Sequence, residues 1–266
     1  MKYFYIAFSS IILAYLAVIL FIYFYQRNLL YHPSENNYLN DKINFKYEEI
    51  LIETEKNIQI KSWFIKKDLK KFKTLVFFHG NAGNLLNRVH KINELEKLDI
   101  NILLTSWRGF SGNKGKPTEQ NLYSDANKII KWLGAQEVNY KDIILYGESL
   151  GTGVAIELAS KNNYGGIILE SPFTSIKDAA KIYYPYLPVN LLLKDRYDSK
   201  SKIKDIKTPI LIMHGKMDKI VPQKMGLELF EKANNPKFSY FPNDDDHMME
   251  FNSTLLEKIS LFLKKI

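Results

Sequence analysis

Ser149 stands in the run Tyr146-Gly147-Glu148-Ser149-Leu150-Gly151-Thr152-Gly153. The run Asp142-Ile143-Ile144-Leu145-Tyr146, which reads as a buried strand, enters it and a small-residue stretch, Ser149 to Ser160, follows. The frame Gly147-x-Ser149-x-Gly151 in that setting predicts a sharp turn from a buried strand into a helix. Glycines flank the serine because strand and helix approach there too closely for a Cβ. Such a turn pushes the hydroxyl outward and sets it at the positive end of a helix dipole. A hydroxyl so placed suits nucleophilic attack, provided a base takes its proton and an acid orients the base.

The chain holds five histidines. His32 lies beside an apolar N-terminal stretch, and His90 falls in a predicted helix. His79 and His214 each precede a glycine at the end of a predicted strand, where structural histidines are common. His247 alone follows the last predicted strand, in the loop Asn243-Asp244-Asp245-Asp246-His247. A serine on this kind of turn goes with the chain order serine, acid, histidine, which makes His247 the base. Asp218, in Met213-His214-Gly215-Lys216-Met217-Asp218 just past a strand, is the acid of first choice. Glu170, at the end of the preceding strand, is its rival. Asp244, Asp245 and Asp246 are rivals by proximity alone; together they form a solvated turn that would raise the basicity of His247.

Acyl transfer also needs two N–H donors for the developing oxyanion. The backbone of Leu150 supplies one. Asn81, in His79-Gly80-Asn81-Ala82-Gly83-Asn84, supplies the second, with glycines that let the backbone approach a substrate. The competing readings of that loop are a plain glycine turn and a phosphate-binding nest. Neither a P-loop lysine nor dinucleotide-type spacing accompanies it, which argues against nucleotide binding. Arg108, in Trp107-Arg108-Gly109, either fixes a loop or meets a substrate carboxylate. No helical histidine pair and no cysteine point to a metal, so neither metal nor cofactor is expected.

The elements that must position these groups read as alternating strands and helices. Glu48–Thr54 and Ile58–Ile65 form a hairpin around Glu55-Lys56-Asn57. Thr74–Phe78 is a strand apolar on both faces, followed by a helix to about Leu98 and a strand from Ile100 to Thr105. A helix from Glu119 to Leu133 precedes the serine turn. Strands at Gly166–Glu170, Pro209–Met213 and Lys237–Phe241 and helices at Pro222–Lys232 and Phe251–Leu263 complete the series. This alternation predicts an α/β fold with a mostly parallel sheet and helices on both faces. Residues 171–207 interrupt it with Tyr183-Tyr184-Pro185-Tyr186-Leu187-Pro188, a cap-like insertion above the strand ends.

Before this domain, residues 46–266, come an apolar run and a polar linker, residues 26–45. Tyr3 to Tyr25 carries no charge and as a helix spans the ~30 Å of a bilayer core. Tyrosines near both ends suit an aromatic belt, and bulky Phe24-Tyr25-Gln26-Arg27 argues against signal cleavage. An uncleaved single-pass anchor is expected; Lys2 on one side and Arg27, Lys42 and Lys46 on the other leave its orientation undetermined. The chain's 266 residues, 46% hydrophobic, argue for one globular domain plus that appendage. Its net charge of +8 comes from scattered lysines with no long basic run and no nucleic-acid motif, which read as solvated faces. No nucleic-acid partner is expected, and the apolar span makes membrane lipid an expected contact.

With these blocks in order, the chain from about Glu48 to its end resembles the α/β-hydrolase superfamily. It is most similar to small membrane-anchored serine hydrolases of the abhydrolase-domain type. The blocks that carry the likeness are His79-Gly80-Asn81-Ala82-Gly83-Asn84, Arg108-Gly109-Phe110-Ser111-Gly112, Gly147-Glu148-Ser149-Leu150-Gly151 and Glu170-Ser171-Pro172-Phe173-Thr174-Ser175. The resemblance implies Ser149, Asp218 and His247 as catalytic triad, and Asn81 and Leu150 as oxyanion donors. It also implies small-molecule or lipid-like acyl substrates and, as in some relatives, acylated proteins. Ser106 replaces a usual aspartate, and Asp245-Asp246 stand where relatives carry a glycine. The activity expected is hydrolysis of carboxylic esters or thioesters at a membrane surface. The alternatives are peptide or amide hydrolysis, and a non-catalytic membrane-tethered binding module.

Overall fold

A computed structural model describes residues 1–34 and 42–266; the polar run Glu35 to Asn37 lies outside them. Helix α1, Lys2–Leu30, is long and apolar enough to cross a membrane, by length and composition. It runs five residues past Tyr25 because its end is packed against the domain: Gln26 is buried on it, as is Tyr31 just beyond. Strand β1, His32–Pro33, follows.

The main sheet contains β2 (Glu48–Glu55), β3 (Ile58–Ile65), β4 (Thr74–Phe78), β6 (Asn101–Thr105), β7 (Ile143–Glu148), β8 (Gly166–Glu170), β9 (Ile210–Met213) and β10 (Lys237–Tyr240). Its order is β10-β9-β8-β7-β4-β6-β3-β2. Only β3 runs against its neighbours; every pairing from β6 to β10 is parallel. The two-residue strand β5, Ala82–Gly83, pairs instead with β1, in parallel. The hairpin turn is shorter than expected, Lys56 and Asn57 alone, with Asn57 at φ 66° in the left-handed region.

The central strands are apolar along most of their length, with polar residues at their ends, because each face meets its own core. Val76 and Phe78 of β4 join one cluster, Leu75 and Phe77 the other, as the two-residue period of a strand demands. Helices α3 (Glu119–Ala135), α4 (Leu150–Lys161) and α8 (Lys224–Lys232) cover the first face; α2 (Val89–Leu95) and α9 (Ser253–Leu263) cover the second. On α3, Leu122, Ala126, Ile129, Ile130 and Leu133 are buried at the spacing of one helical face, and Thr118 caps its start through the Asn121 N–H. Helix α2 stops at Leu95, short of Leu98, where three-residue turns tighten the chain before β6.

Between β8 and β9 lie helices α5 (Ile176–Tyr183), α6 (Val189–Leu192) and α7 (Ser199–Lys202), the segment expected from sequence to be cap-like and called the cap below. It meets α1 through several bonds. Arg27 grips Asp195 with Nε and Nη2 at 2.8 and 3.1 Å, and the Tyr31 and Tyr197 hydroxyls are 2.9 Å apart.

Candidate active site

The turn between β7 and α4 places Ser149 at φ 49° and ψ −113°, a strained backbone for a residue with a side chain. Neighbouring geometry forces it. A Cβ on Gly147 would lie 2.5 Å from Thr152 Cα, and one on Gly151 only 2.0 Å from the Phe78 carbonyl oxygen. The turn is tied down by the Ser149 N–H to the Glu170 carbonyl, 2.9 Å, and by Thr152, whose N–H and hydroxyl both donate to the Ser149 carbonyl.

His247 Nε2 lies 2.9 Å from Ser149 Oγ, and its Nδ1 lies 2.6 Å from Asp218 Oδ2. A ring nitrogen facing a carboxylate carries the proton, so Nδ1 donates and the Nε2 lone pair faces the serine hydroxyl. The other Asp218 oxygen, Oδ1, accepts the N–H groups of Ile220 and Val221, each at 2.8 Å. His214 completes the carboxylate's surroundings. Its Nε2 faces only acceptors, Asp218 Oδ2 at 3.0 Å and the Val221 carbonyl at 2.8 Å, and therefore donates. Burial pushes the Asp218 carboxyl up, but the bonds from His214 and His247 outweigh it and hold the group well below the usual aspartate range. Asp218 stays charged.

The loop bearing His247 is fitted closely to the Asp218 loop. A Cβ on Gly215 would lie 2.3 Å from the Asp245 carbonyl oxygen, which accepts the Met217 N–H at 2.9 Å. The Asp245 and Asp246 carboxylates accept the N–H groups of Glu250 and Met248 within their own loop. They shape the loop rather than orient the imidazole. Ser171, at the end of β8, donates its hydroxyl to the His247 carbonyl at 2.8 Å.

Leu150 opens α4, so its N–H has no acceptor within the helix. Asn81 lines the same cavity as Ser149 and Leu150. Its side-chain amide donates to the Leu30 carbonyl at 2.7 Å, and its own carbonyl accepts the His32 N–H at 2.8 Å. The end of α1 thereby holds the Asn81 loop. The cavity, about 410 Å³, is walled mainly by apolar side chains, among them Phe173, Ile176 and Ala179 of the cap region. Another of about 400 Å³ opens beside Trp63 and Gly112, but among the described residues no histidine lines it.

Comparison with known proteins agrees with this architecture. The family with the alpha/beta hydrolase fold matches residues 73–188. An uncharacterized protein of Mycobacterium tuberculosis is 34% identical over 223 residues, covering 83% of this chain and 79% of its own. The chain belongs to the α/β-hydrolase family. A lysophosphatidylserine lipase of Danio rerio is 31% identical over 195 residues, 66% of this chain and 51% of the lipase. Among solved structures, an esterase of Pyrococcus furiosus aligns with a TM-score of 0.70 at 22% identity, covering 89% of this chain and 97% of the esterase, a likeness of fold.

In this hydrolase Glu170 is not near the imidazole's proton. Its carboxylate takes Lys91 Nζ at 2.5 Å and the Tyr146 hydroxyl at 2.6 Å, all fully buried. Lys91 also reaches Glu148 Oε2 at 2.9 Å, while Arg88 meets Glu148 Oε1 at 2.6 Å. Glu148 Oε1 further accepts the Gly80 N–H at 3.0 Å, and Arg88 donates to the Ala82 carbonyl. This buried ionic cluster clasps the Asn81 loop to the serine turn. Sequence reasoning missed it. The available signal was a charged residue, Glu148, between the glycine and serine of a turn entered from an apolar strand.

Arg108 fixes a loop and meets no open site: it forks onto Asp125 at 2.7 and 2.5 Å and reaches Glu55 at 2.9 Å. Ser106 bonds Ser111 through their hydroxyls at 2.8 Å. His79 is structural. Its Nδ1 donates to the Gly80 carbonyl, and burial, with Arg88 nearby, pushes the ring down to about 3. His32 contacts the Leu29 carbonyl and His90 lies in α2, both apart from the Ser149–His247–Asp218 chain of bonds.

Proposed function

We propose that this protein is a serine hydrolase of carboxylic esters or thioesters that works through an acyl-enzyme, anchored to a membrane by α1 as a single span. The observation that carries the reading is the unbroken hydrogen-bond chain from Ser149 Oγ through His247 to Asp218, at 2.9 and 2.6 Å. Separations of this size are the reach required between nucleophile, base and orienting acid.

In this reading Ser149 Oγ attacks the acyl carbonyl carbon while His247 Nε2 takes the hydroxyl proton. The backbone N–H groups of Leu150 and Asn81 receive the negative oxygen of the tetrahedral intermediate. Asp218 keeps Nδ1–H in place and stabilises the imidazolium without taking its proton. The intermediate collapses, the bond to the leaving alcohol or thiol breaks, and His247 returns the proton to it. Water then attacks the acyl-Ser149 carbonyl and gives a proton to Nε2. Collapse releases the carboxylic acid and restores the serine hydroxyl. The apolar lining of the cavity and the membrane-length helix support a lipid-like acyl substrate or an acylated protein at the bilayer surface. The relative that is a lysophosphatidylserine lipase supports the same class.

The test follows hydrolysis of p-nitrophenyl esters from acetyl to palmitoyl by the full chain in lipid nanodiscs, beside Ser149→Ala. The variant is expected to lose at least ~10³-fold in kcat/KM, since nucleophile and base act as one unit. Equal rates would discard the mechanism.

A further inference from the structure

The cavity on Ser149 does not end at the cap. It adjoins a second, of about 220 Å³, and Leu29, Leu30, Ile176, Ala180 and Tyr184 line both. The second lies between α1 and the cap, with Ile22 and Gln26 on one wall and Leu187, Val189 and Leu192 on the other. Ile22, Gln26 and Leu30 recur every fourth residue, so they share one face of α1. From Ile22 to Leu30 that face is ~12 Å long at the rise of an α-helix. The groove therefore leads from the serine along α1 toward its membrane-crossing part.

Polar contacts tie the two walls to each other. Gln26, the most polar group on the helix face, is occupied at both ends: its Nε2 donates to the Leu192 carbonyl at 2.9 Å and its Oε1 accepts the Lys194 N–H at 2.8 Å. The floor left for a ligand is hydrocarbon. Farther along α1 the Tyr15 hydroxyl donates to the Tyr186 carbonyl at 2.8 Å, which draws the cap tip alongside the apolar helix. That tip carries Tyr184, Tyr186 and Leu191, exposed by 49%, 66% and 83%. Large apolar side chains exposed next to a membrane-length helix suit a segment that dips into the leaflet.

We propose that α1 is a wall of the substrate site as well as an anchor: with the cap it forms an acyl-chain groove that opens into the leaflet and takes a long-chain ester lipid from the bilayer. The chain lies against the Ile22–Leu30 face and its carbonyl reaches Ser149. The proposal rests on the esterase reading above. A bilayer lipid is the favoured occupant because the far end of the groove abuts the part of α1 that hydrocarbon surrounds, and a lipid chain passing between the two never crosses water. The same α1 end holds Asn81 through the Leu30 carbonyl, so the wall of the groove and the oxyanion loop are set by one helix turn.

Two experiments test it on the full chain in nanodiscs. In the first, Ser149→Ala protein is irradiated with a phospholipid whose palmitoyl chain carries a diazirine, and adducts are mapped by mass spectrometry. Adducts on Ile22, Leu29, Ala180 and Leu192 are expected; adducts confined to the other faces of α1 would overturn the proposal. In the second, Ala180→Trp blocks the junction of the two cavities and Leu192→Trp narrows the second alone. The ratio of kcat/KM for palmitoyl over butyryl esters should fall at least tenfold in the first variant and less in the second. Unchanged ratios in both overturn the groove. A palmitoylated peptide supplied from water and cleaved faster than the bilayer ester overturns the lipid source. Groove adducts together with a wild-type protein inert toward every ester would remove the esterase reading and leave the groove standing.

Discussion

Two carboxylates sit at the ends of paired strands and have opposite surroundings. Glu170 closes β8 and Asp218 follows β9, its parallel neighbour, and both side chains are fully buried. Burial raises the Glu170 carboxyl above its usual range; Lys91 opposes the rise but is shared with Glu148, whose charge adds to it. Asp218 meets two imidazole N–H donors and two backbone N–H groups, and is held below its usual range. Depth alone therefore does not decide what a buried carboxylate does. One that shares a cation with a second carboxylate joins a buried ionic cluster, and one that bridges imidazoles stays charged and holds the ring that faces the serine.

The largest test of this contrast is Asp218→Asn. Its one remaining oxygen stays on the Ile220 and Val221 N–H groups, so an NH2 replaces the charged acceptor facing His247 Nδ1, and ester hydrolysis is expected to fall ~10³- to 10⁴-fold. Circular dichroism should show the fold retained, and a loss under tenfold would make the two carboxylates equivalent. Lys91→Met attacks the other cluster. It leaves Glu148 and Glu170 buried with Arg88 as their remaining cation, at a cost of about 3–5 kcal/mol that urea unfolding measures. A midpoint unchanged from the wild type would show that the cluster does not stabilise the fold.

The pH dependence separates the two sites further. Asp218 has a folded pKa below its unfolded value, so its stabilisation is present above the ordinary aspartate pKa of about 4 and is lost as pH falls through the folded pKa. The melting temperature of the wild type should thus drop more steeply below about pH 4 than that of Asp218→Asn, and parallel curves would contradict the assignment. The smallest effect belongs to Glu170→Gln. Glutamine keeps an acceptor for Lys91 or Tyr146, so the expected cost is about 1–2 kcal/mol in unfolding and less than about tenfold in hydrolysis.

Local sequence determined much of this molecule. Thr74–Phe78 reads as a strand buried on both faces because the four side chains after Thr74 are all apolar, and the structure packs alternate residues into separate cores. Gly147 and Gly151 mark the turn because no Cβ fits beside Thr152 or Phe78, a constraint that acts over a few bonds. Chain order separated His247 from the other histidines. Tertiary structure alone decided partners. Asp218, Glu170 and the Asp244–Asp246 run were all open to His247 by position, and only the packing of the Asp218 loop on the Asp245 carbonyl brings Asp218 to the imidazole. Lys91 meets Glu170 from 79 residues away, and Gln26 and Arg27, read from sequence as the start of a linker, meet the cap from 166 and 168 residues away. Composition and spacing report backbone geometry and which faces are apolar; which charge meets which, and which helix walls a cavity, depends on approaches between distant segments that no local pattern encodes.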